Sequence, residues 1–576
     1  MPSLRQLQIG ITFEEYKHHA SITRANEKKA NEEHMRTRGP VTLVSLIKDR
    51  FSKGHVQATR QDDGIVDLIA SSQVAKPQQK DQSIIQTRPI SGHGDGGAST
   101  SDELYLANRA LRTAGWGSVF YLITTDVLGP SNTPWAFAQT GYGPGVVMYI
   151  AFGSLSAYSG WLLYKMFLGL DSDRYPLRNY ADIFLRLYGS GAGYFVHFAQ
   201  AVQLILSIAY LILLNGQAIS QISQTTPGKN GLCFIVCVLI FTLIGMVAGQ
   251  VRTLQRFAWL ANFSVFIQLI QVFIIMGLVA HFAPNYAAIE ASFGLPPGPI
   301  QTFAGTPPDG LKTGGTGSSA GINAASQAVL AYGGAMFFPA FMAEMRHPMD
   351  FWKGMVCAQA LLTIVYVVFG AEVYHFQGQF TYLPVAQGIS NYGWQTALNV
   401  MSMLAGLIAT CLYTNIGLKI AYVEVLQPFG FSPLTTKKGK LWWAAMAPVV
   451  WAIGFVIAPA IPQLASVSSF GGALFGIGFS YIFPALGALG YFIREDAMVA
   501  DMETFDEASR TYNYVDRGWK RFLRAVKKRP LFHLWNLVYF LCSLGGCVLG
   551  CYTAIKQIIL IFQAGVATSF TCTSPV

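Results

Sequence analysis

The residues best placed to do chemistry sit where two apolar stretches are interrupted. The first interruption reads Asp126-Val127-Leu128-Gly129-Pro130-Ser131-Asn132-Thr133-Pro134, inside an otherwise helical run from Trp116 to Gly141. The second reads Tyr332-Gly333-Gly334-Ala335-Met336-Phe337-Phe338-Pro339, inside the run from Asn323 to Phe341. A helix that restarts after such a break presents open N–H groups and a partial positive charge, which suits a carboxylate. Gly129 permits close approach and Pro130 pre-sets the restart, which places Ser131 and Asn132 among the donors. Asp126 is an acid inside an apolar helix, a costly position that marks function by default. It could counter an ammonium group, accept a proton if burial raises its pKa, or cap the unwound backbone. A simple proline kink at the first break, and glycines serving close helix packing at the second, are the plainer alternatives.

The elements that hold these residues follow from composition. The chain has 576 residues, 52% hydrophobic and 12% charged, about half the charged share of an average soluble protein. A membrane span needs about 20 mostly apolar residues. Eleven such blocks fall near 116–140, 145–168, 193–216, 231–249, 257–282, 323–342, 354–375, 396–422, 441–460, 464–492 and 533–562. With the N-terminus in the cytosol, the inner connections carry 19 Lys and Arg and the outer ones only Lys229 and Lys312. That asymmetry sets the orientation by the positive-inside rule. Interrupted helices in corresponding halves point to the binding site of a secondary carrier. Unwound backbone at membrane depth is tolerated only where it lines a protein-enclosed cavity.

Three regions are expected: a cytosolic, largely disordered tail at 1–113, a membrane domain at 114–562, and an extracytosolic tail at 563–576. The first region holds 16 basic and 13 acidic residues. A charged helix over Glu14–Arg38 is compatible with it, with no chemistry assigned, and its lysines could take ubiquitin through a ligase. The 283–322 connection reads as an irregular lid or spacer. The 493–532 connection reads as an amphipathic helix on the inner leaflet, with Trp519, Phe522 and Leu523 among basic residues. Seven of the eight cysteines lie in apolar blocks and read as small hydrophobes, with no disulfide framework. No cleavable signal peptide is expected. The net charge of +10 reflects the bilayer and not nucleic acid. No phosphate loop or His-Glu-x-x-His zinc site is present, so neither an enzyme nor a cofactor or metal is expected.

The stretch Leu128-Gly129-Pro130-Ser131-Asn132-Thr133-Pro134-Trp135-Ala136-Phe137-Ala138-Gln139-Thr140-Gly141 resembles the first-helix motif of the amino acid/auxin permease family. That motif runs through a Gly-x-Gly pair, a Leu-rich stretch, an aromatic and Ala-x-Ala-Gln-x-Gly. Phe341-Met342-Ala343-Glu344-Met345 and Phe470-Gly471-Gly472 are similar to later family segments, and the resemblance covers about 105–562. Within the family the chain is most similar to fungal permeases for neutral and aromatic amino acids. It departs at Val127, where the motif has glycine, at Asp126, and at Pro130-Ser131-Asn132.

The resemblance implies an all-α integral membrane fold: a five-plus-five inverted repeat with helices 1 and 6 broken, plus an eleventh helix. It implies proton-coupled symport of a neutral aliphatic or aromatic amino acid between the breaks. Backbone around Ala331–Gly334 would face the substrate amine, with Gly333 and Gly334 opening the helix. Phe337 and Phe338 would line the side-chain pocket, and Tyr210 would form a wall from the third span. Asp126 and Glu344 are the candidates for proton coupling or gating. A carrier or exporter of an amino-acid-derived metabolite, and a non-transporting amino-acid receptor, are the rival readings. The plasma membrane is the expected location and the vacuolar membrane the alternative.

Overall fold

The computed structural model describes residues 11–38, 112, 114–127, 129–224, 231–251, 254–426, 430–432, 436–460, 464–499, 502–507, 509–563, 570 and 572. Residues 1–26 and 113–576 form one compact unit and 27–112 a second. Most of the second unit lies outside the described residues. Within it, Arg112 faces Glu27 at 3.6 Å.

Helix α1 (Phe13–Arg38) precedes the apolar bundle. The first span is α2 (Trp116–Val127), a 3₁₀ turn at Pro130–Asn132, and α3 (Thr133–Thr140). Then come α4 (Tyr142–Leu170), the short α5 (Tyr180–Tyr188), α6 (Ser190–Ser223), α7 (Phe234–Ala248) and α8 (Leu254–His281). A short α9 (Tyr286–Phe293) lies in the long connection that follows. The sixth span is α10 (Ser318–Ala331), a 3₁₀ turn at Gly333–Phe337, and α11 (Phe338–Glu344). The seventh to ninth are α12 (Phe351–Gln377), α13 (Tyr392–Ile420) and α14 (Lys437–Ile457). The tenth is α15 (Leu464–Gly471), two π-helical turns, and α16 (Phe483–Ala497). After α17 (Trp519–Lys528), α18 (Pro530–Gln563) is the eleventh.

Among the described residues, eight helical stretches are long and apolar enough to cross a membrane, and Phe234–Ala248 is a shorter apolar one. The two broken helices bring the spans to eleven, matching the apolar blocks. Packing repeats with a period of five spans. The first packs on the sixth, the second on the seventh, the third on the eighth and the fourth on the ninth. The fifth touches the first and eighth, and the tenth touches the sixth and third in the same way. An odd number of spans per repeat reverses the direction of the second copy, so this is an inverted repeat. The eleventh helix lies outside it, against the tenth.

The proline positions explain the two breaks. Pro130 and Pro134 cannot donate backbone hydrogen bonds in the first span, and Pro339 cannot in the sixth. Each second half starts with a 3₁₀ turn and a proline near its first helical position. Gly153 of α4 lets the second span close on the seventh and sixth: an added Cβ would meet Thr363 Oγ1 at 2.5 Å and the Tyr332 ring at about 3 Å.

Two sequence expectations are corrected. The region expected to be a largely disordered tail at 1–113 contains α1, a helix whose first half packs on the bundle. Phe13, Tyr16, Ala20 and Thr23 are buried against the bundle. Arg24 pairs with the fully buried Asp171 at 2.8 Å, Glu15 accepts from Tyr175 at 2.6 Å, and Lys17 pairs with Glu495. The docking partners are scattered over 171–186 and 491–524, so no local pattern in the tail announces them. The tail residues Lys48, Lys53, Lys76 and Lys80 lie outside the described residues. The second correction is a disulfide between Cys233 and Cys572. These two residues are 339 positions apart, and only the fold brings the chain end back to the start of α7. The expected amphipathic helix is α17, whose Trp519, Phe522 and Leu523 are exposed.

Candidate functional site

Beside the two breaks lies a cavity of about 220 Å³. The first span contributes Thr125, Gly129, Pro130, Ser131 and Asn132, and the sixth contributes Gln327, Leu330 and Ala331. Span three adds Ser207 and Tyr210, span five Gln268 and Gln271, and span eight Ser402 and Tyr413. None of the described lining residues is charged. Spans one, three, five, six and eight thus all contribute to the lining.

The unwound backbone finds partners inside the protein, as a low-dielectric setting demands. Tyr366 of α12 is fully buried and serves both breaks with one hydroxyl. It accepts from the Gly129 N–H at 3.3 Å and donates to the Ala331 carbonyl at 2.9 Å. Its ring packs against Tyr149 and Tyr332 at 5.9 and 5.3 Å. A second network crosses the cavity edge. The Asn132 amide donates to Gln327 Oε1 at 2.9 Å and to the Tyr210 hydroxyl at 3.3 Å. Gln327 Nε2 in turn donates to Ser468 and Ser469 of α15. Spans one, three, six and ten thus meet at Asn132 and Gln327.

The sequence candidates are distributed as follows. Gly129, Pro130, Ser131, Asn132 and Tyr210 line the cavity together. Asp126 lies in the last turn of α2, three residues before Gly129, and its side chain is outside the described residues. Gly333 and Gly334 form the 3₁₀ turn next to the lining residue Ala331 but are not themselves lining residues. Phe337 is one layer back, stacked on Tyr413 at 5.8 Å. Phe338 is turned away, against Phe351 at 5.4 Å. The expectation that these two phenylalanines line the pocket does not match their positions. That expectation came from the family resemblance, and neither ring is among the described lining residues.

Sequence reasoning missed Gln268, Gln271, Gln327, Tyr366 and Ser402. The signal was present for the glutamines: polar side chains are rare inside spans and mark function by default. Tyr366 carried no such signal, because one more aromatic residue in an aromatic-rich helix is unremarkable by sequence.

On the basic side of the cavity, Glu344 and Lys419 interact electrostatically below the Phe337–Tyr413 stack. Lys419, expected to be a snorkelling end-of-helix charge, therefore faces an acid on another span. The start of the first span is tied to the end of the sixth: Ala114 N–H donates to Glu344 O, and Arg346 N–H to Ala114 O, at 3.0 and 2.9 Å. On the opposite side, the long connection folds over α3. Gln139 and Trp135 both donate to Thr313 Oγ1, Gly314 N–H donates to Gln139 Oε1, and Asn323 donates to the Gly314 carbonyl. Gly141, at φ 82°, lies so close to this segment that an added Cβ would sit 1.9 Å from the Gly305 carbonyl oxygen.

The chain is 24% identical over 507 residues to the N amino acid transport system protein of Neurospora crassa, covering 86% of this chain and 95% of that one. A protein of Gibberella moniliformis described as a transmembrane transporter is 23% identical over 427 residues, 73% of this chain and 85% of the other. Among solved structures, the nucleobase-cation-symport-1 family transporter Mhp1, closed with bromovinylhydantoin bound, matches with a TM-score of 0.41 at 12% identity. That match covers 79% of this chain and 93% of the other. The model of the family described as transmembrane amino acid transporter protein matches residues 112–506. The chain is a multi-pass integral membrane protein and belongs to that transmembrane amino acid transporter family.

Proposed function

We propose that the protein is a proton-coupled symporter of neutral amino acids that works by alternating access, with its basic face in the cytosol. The observation that carries this reading is a cavity beside two helix breaks with no charged side chain among its described lining residues. A substrate's carboxylate would meet the open N–H groups of the 3₁₀ turn at Ser131 and Asn132. Its ammonium would meet carbonyls at the other break, where the Ala331 oxygen keeps a second lone pair beyond Tyr366. A charged substrate side chain would find no opposite charge among the described lining residues, and an unpaired charge away from water is heavily penalised. Neutral side chains fit.

Asp126 is proposed as the proton acceptor, since it lies one helical turn before the Gly129 break. The Phe337–Tyr413 stack and the Glu344–Lys419 pair would close the cytosolic route, and the Gln139–Thr313–Gly314 contacts the outer one. Rocking of the joined first and sixth spans against spans three and eight would open them in turn. The Cys233–Cys572 disulfide supports the orientation, because disulfides persist on the oxidising side of a membrane. The plasma membrane is the proposed site.

The test is uptake of labelled Ala, Leu, Phe, Gln and Lys into liposomes holding the purified protein, under an imposed pH gradient. Neutral substrates should accumulate when the outside is acidic, a protonophore should abolish accumulation, and Lys should be excluded. Asp126→Asn should retain substrate binding and lose the pH dependence. Accumulation driven by sodium would refute the proton reading. Binding without flux would refute transport itself.

A further inference from the structure

Helix α17 turns its charge inward and its apolar residues outward. Arg521 and Arg524 point at the protein, where Arg521 reaches Glu14 and Glu503 and Arg524 reaches Asp516 at 2.7 Å. Ala525 beside them is fully buried. Phe522 and Leu523 lie three and four residues from Trp519 and so share its face, and all three are exposed. Lys520 and Lys527 are exposed along one edge of that stripe, seven residues and hence two turns apart. Only Arg529 separates α17 from α18, whose Leu531, Leu534 and Trp535 are exposed in turn. The apolar stripe therefore runs on into the outer surface of a membrane span.

Lys165 points the same way independently. It lies exposed in the last two turns of α4, with its ammonium 5.8 Å from the centre of the Trp161 ring. Trp161 in turn packs on Phe532 and Phe492, with ring centres 6.4 and 6.2 Å away, and Arg529 lies over Phe532 at 5.1 Å. Lys165 and the junction of α17 with α18 thus share one patch on the rim of the bundle. The acids nearby are engaged: Asp496 holds Arg529 and His533, and Glu495 holds Lys17. Among the described residues, Lys165, Lys520 and Lys527 have no carboxylate within 4 Å. A lysine on a span that faces lipid, and not the bundle interior, calls for an anion at headgroup level, which its long stem can reach.

We propose that this patch is a binding site for anionic glycerophospholipid in the leaflet on the basic side, the cytosolic one in the orientation proposed above. Lipid phosphates meet Lys165, Lys520 and Lys527, while Trp519, Phe522 and Leu523 sink to the boundary of the acyl chains. A zwitterionic headgroup cancels its phosphate with its own ammonium and offers the lysines no net charge. An anionic one keeps its charge, and each lysine held near it corresponds to about 5-fold in affinity.

The test titrates the purified full-length protein in detergent with phosphatidylserine or phosphatidylcholine and counts bound lipid by native mass spectrometry. Phosphatidylserine is expected to bind about 5-fold or more tightly. Lys165→Gln combined with Lys527→Gln should remove that preference, whereas Lys438→Gln, at an exposed lysine in the first turn of α14, should keep it. In liposomes, brominated lipid should quench a share of the tryptophan fluorescence that Trp519→Phe removes. Equal binding of the two lipids overturns the inference, as does a preference that survives the double substitution. A preference lowered equally by Lys438→Gln reduces the effect to diffuse attraction and overturns the site. Unquenched Trp519 overturns the seating of α17 on the bilayer, and a dimer in place of lipid adducts assigns the face to a second copy of the chain instead. Neither readout involves flux, so failure here leaves the transporter reading intact, and failure of transport leaves the lipid site intact.

Discussion

Tyr366 has an unusual position for a single hydroxyl. It bonds the Gly129 N–H of one broken helix and the Ala331 carbonyl of the other, so the two breaks share a pin from the seventh span. Tyr366→Phe keeps the ring that packs on Tyr149 and Tyr332 and removes both bonds. Each is worth about 1 kcal/mol, and the loss falls where the cavity geometry is set. Exchange of labelled substrate should drop by roughly 10-fold at unchanged expression and with nearly unchanged global melting. An exchange rate equal to wild type would reduce Tyr366 to a packing residue. Asn132 plays a comparable part by its side chain, since its amide links Tyr210 and Gln327.

Among the elements, α1 departs most from what its composition suggests. It is polar and charged, yet its Phe13, Tyr16 and Ala20 are buried. Arg186 lies over the Tyr16 ring at 4.7 Å, and Arg521 reaches both Glu14 and Glu503. The Arg24–Asp171 pair holds a carboxylate with no solvent exposure. Removing one partner of such a pair costs about 3–5 kcal/mol, because the other charge stays buried. Arg24→Ala should therefore release α1 and expose residues 13–26 to limited proteolysis, with a lowered melting temperature. A cleavage pattern identical to wild type would contradict the docking.

Docking of α1 should also respond to pH. His19 stands edge-on to Tyr175 at 5.5 Å. Burial first, and then Arg174 and His18, lower its pKa below the usual 6.5, against smaller opposing effects of Glu507 and Glu15. The docked form thus holds a neutral imidazole. Above pH 6.5 the free helix is neutral at His19 as well, and docking carries no proton penalty. As pH falls below 6.5 the free helix takes up a proton that the docked helix refuses, so docking weakens. Protease access to 13–26 should rise as pH falls below about 6.5, and His19→Gln should flatten the profile. A profile that is flat for the wild type would remove His19 from the account.

For the whole molecule, the repeat places the two breaks back to back and lets the first and sixth spans act as a pair. They are joined at the cavity through Asn132–Gln327 and at the basic end through Ala114 with Glu344 and Arg346. The disulfide adds a covalent tie from the end of the chain to the start of α7. Peptide mapping without reductant should recover Cys233 linked to Cys572. After mild reduction of intact cells, a membrane-impermeant maleimide should label Cys572 in the wild type and not in Cys572→Ser. Labelling only after permeabilisation would invert the proposed orientation.

The eleven spans and their division into two sets of five were legible in the linear order of residues, because about 20 apolar residues are the price of crossing a bilayer. The breaks were legible for a related reason: Pro130, Pro134 and Pro339 lack the donor that a continuous helix needs. Backbone chemistry of this kind is local, so Gly129, Ser131 and Asn132 could be placed at the cavity from the sequence alone. The remaining walls could not. Gln268, Gln271, Ser402 and Tyr366 come from three other spans, and which face each span turns inward depends on how the two repeats pack. Phe337 and Phe338, assigned to the pocket by resemblance, pack on Tyr413 and Phe351, contacts that only the fold brings together. The docking of α1 and the Cys233–Cys572 bond were likewise decided only by the fold. Both join residues far apart in the chain, and such contacts exist once the spans between them have packed.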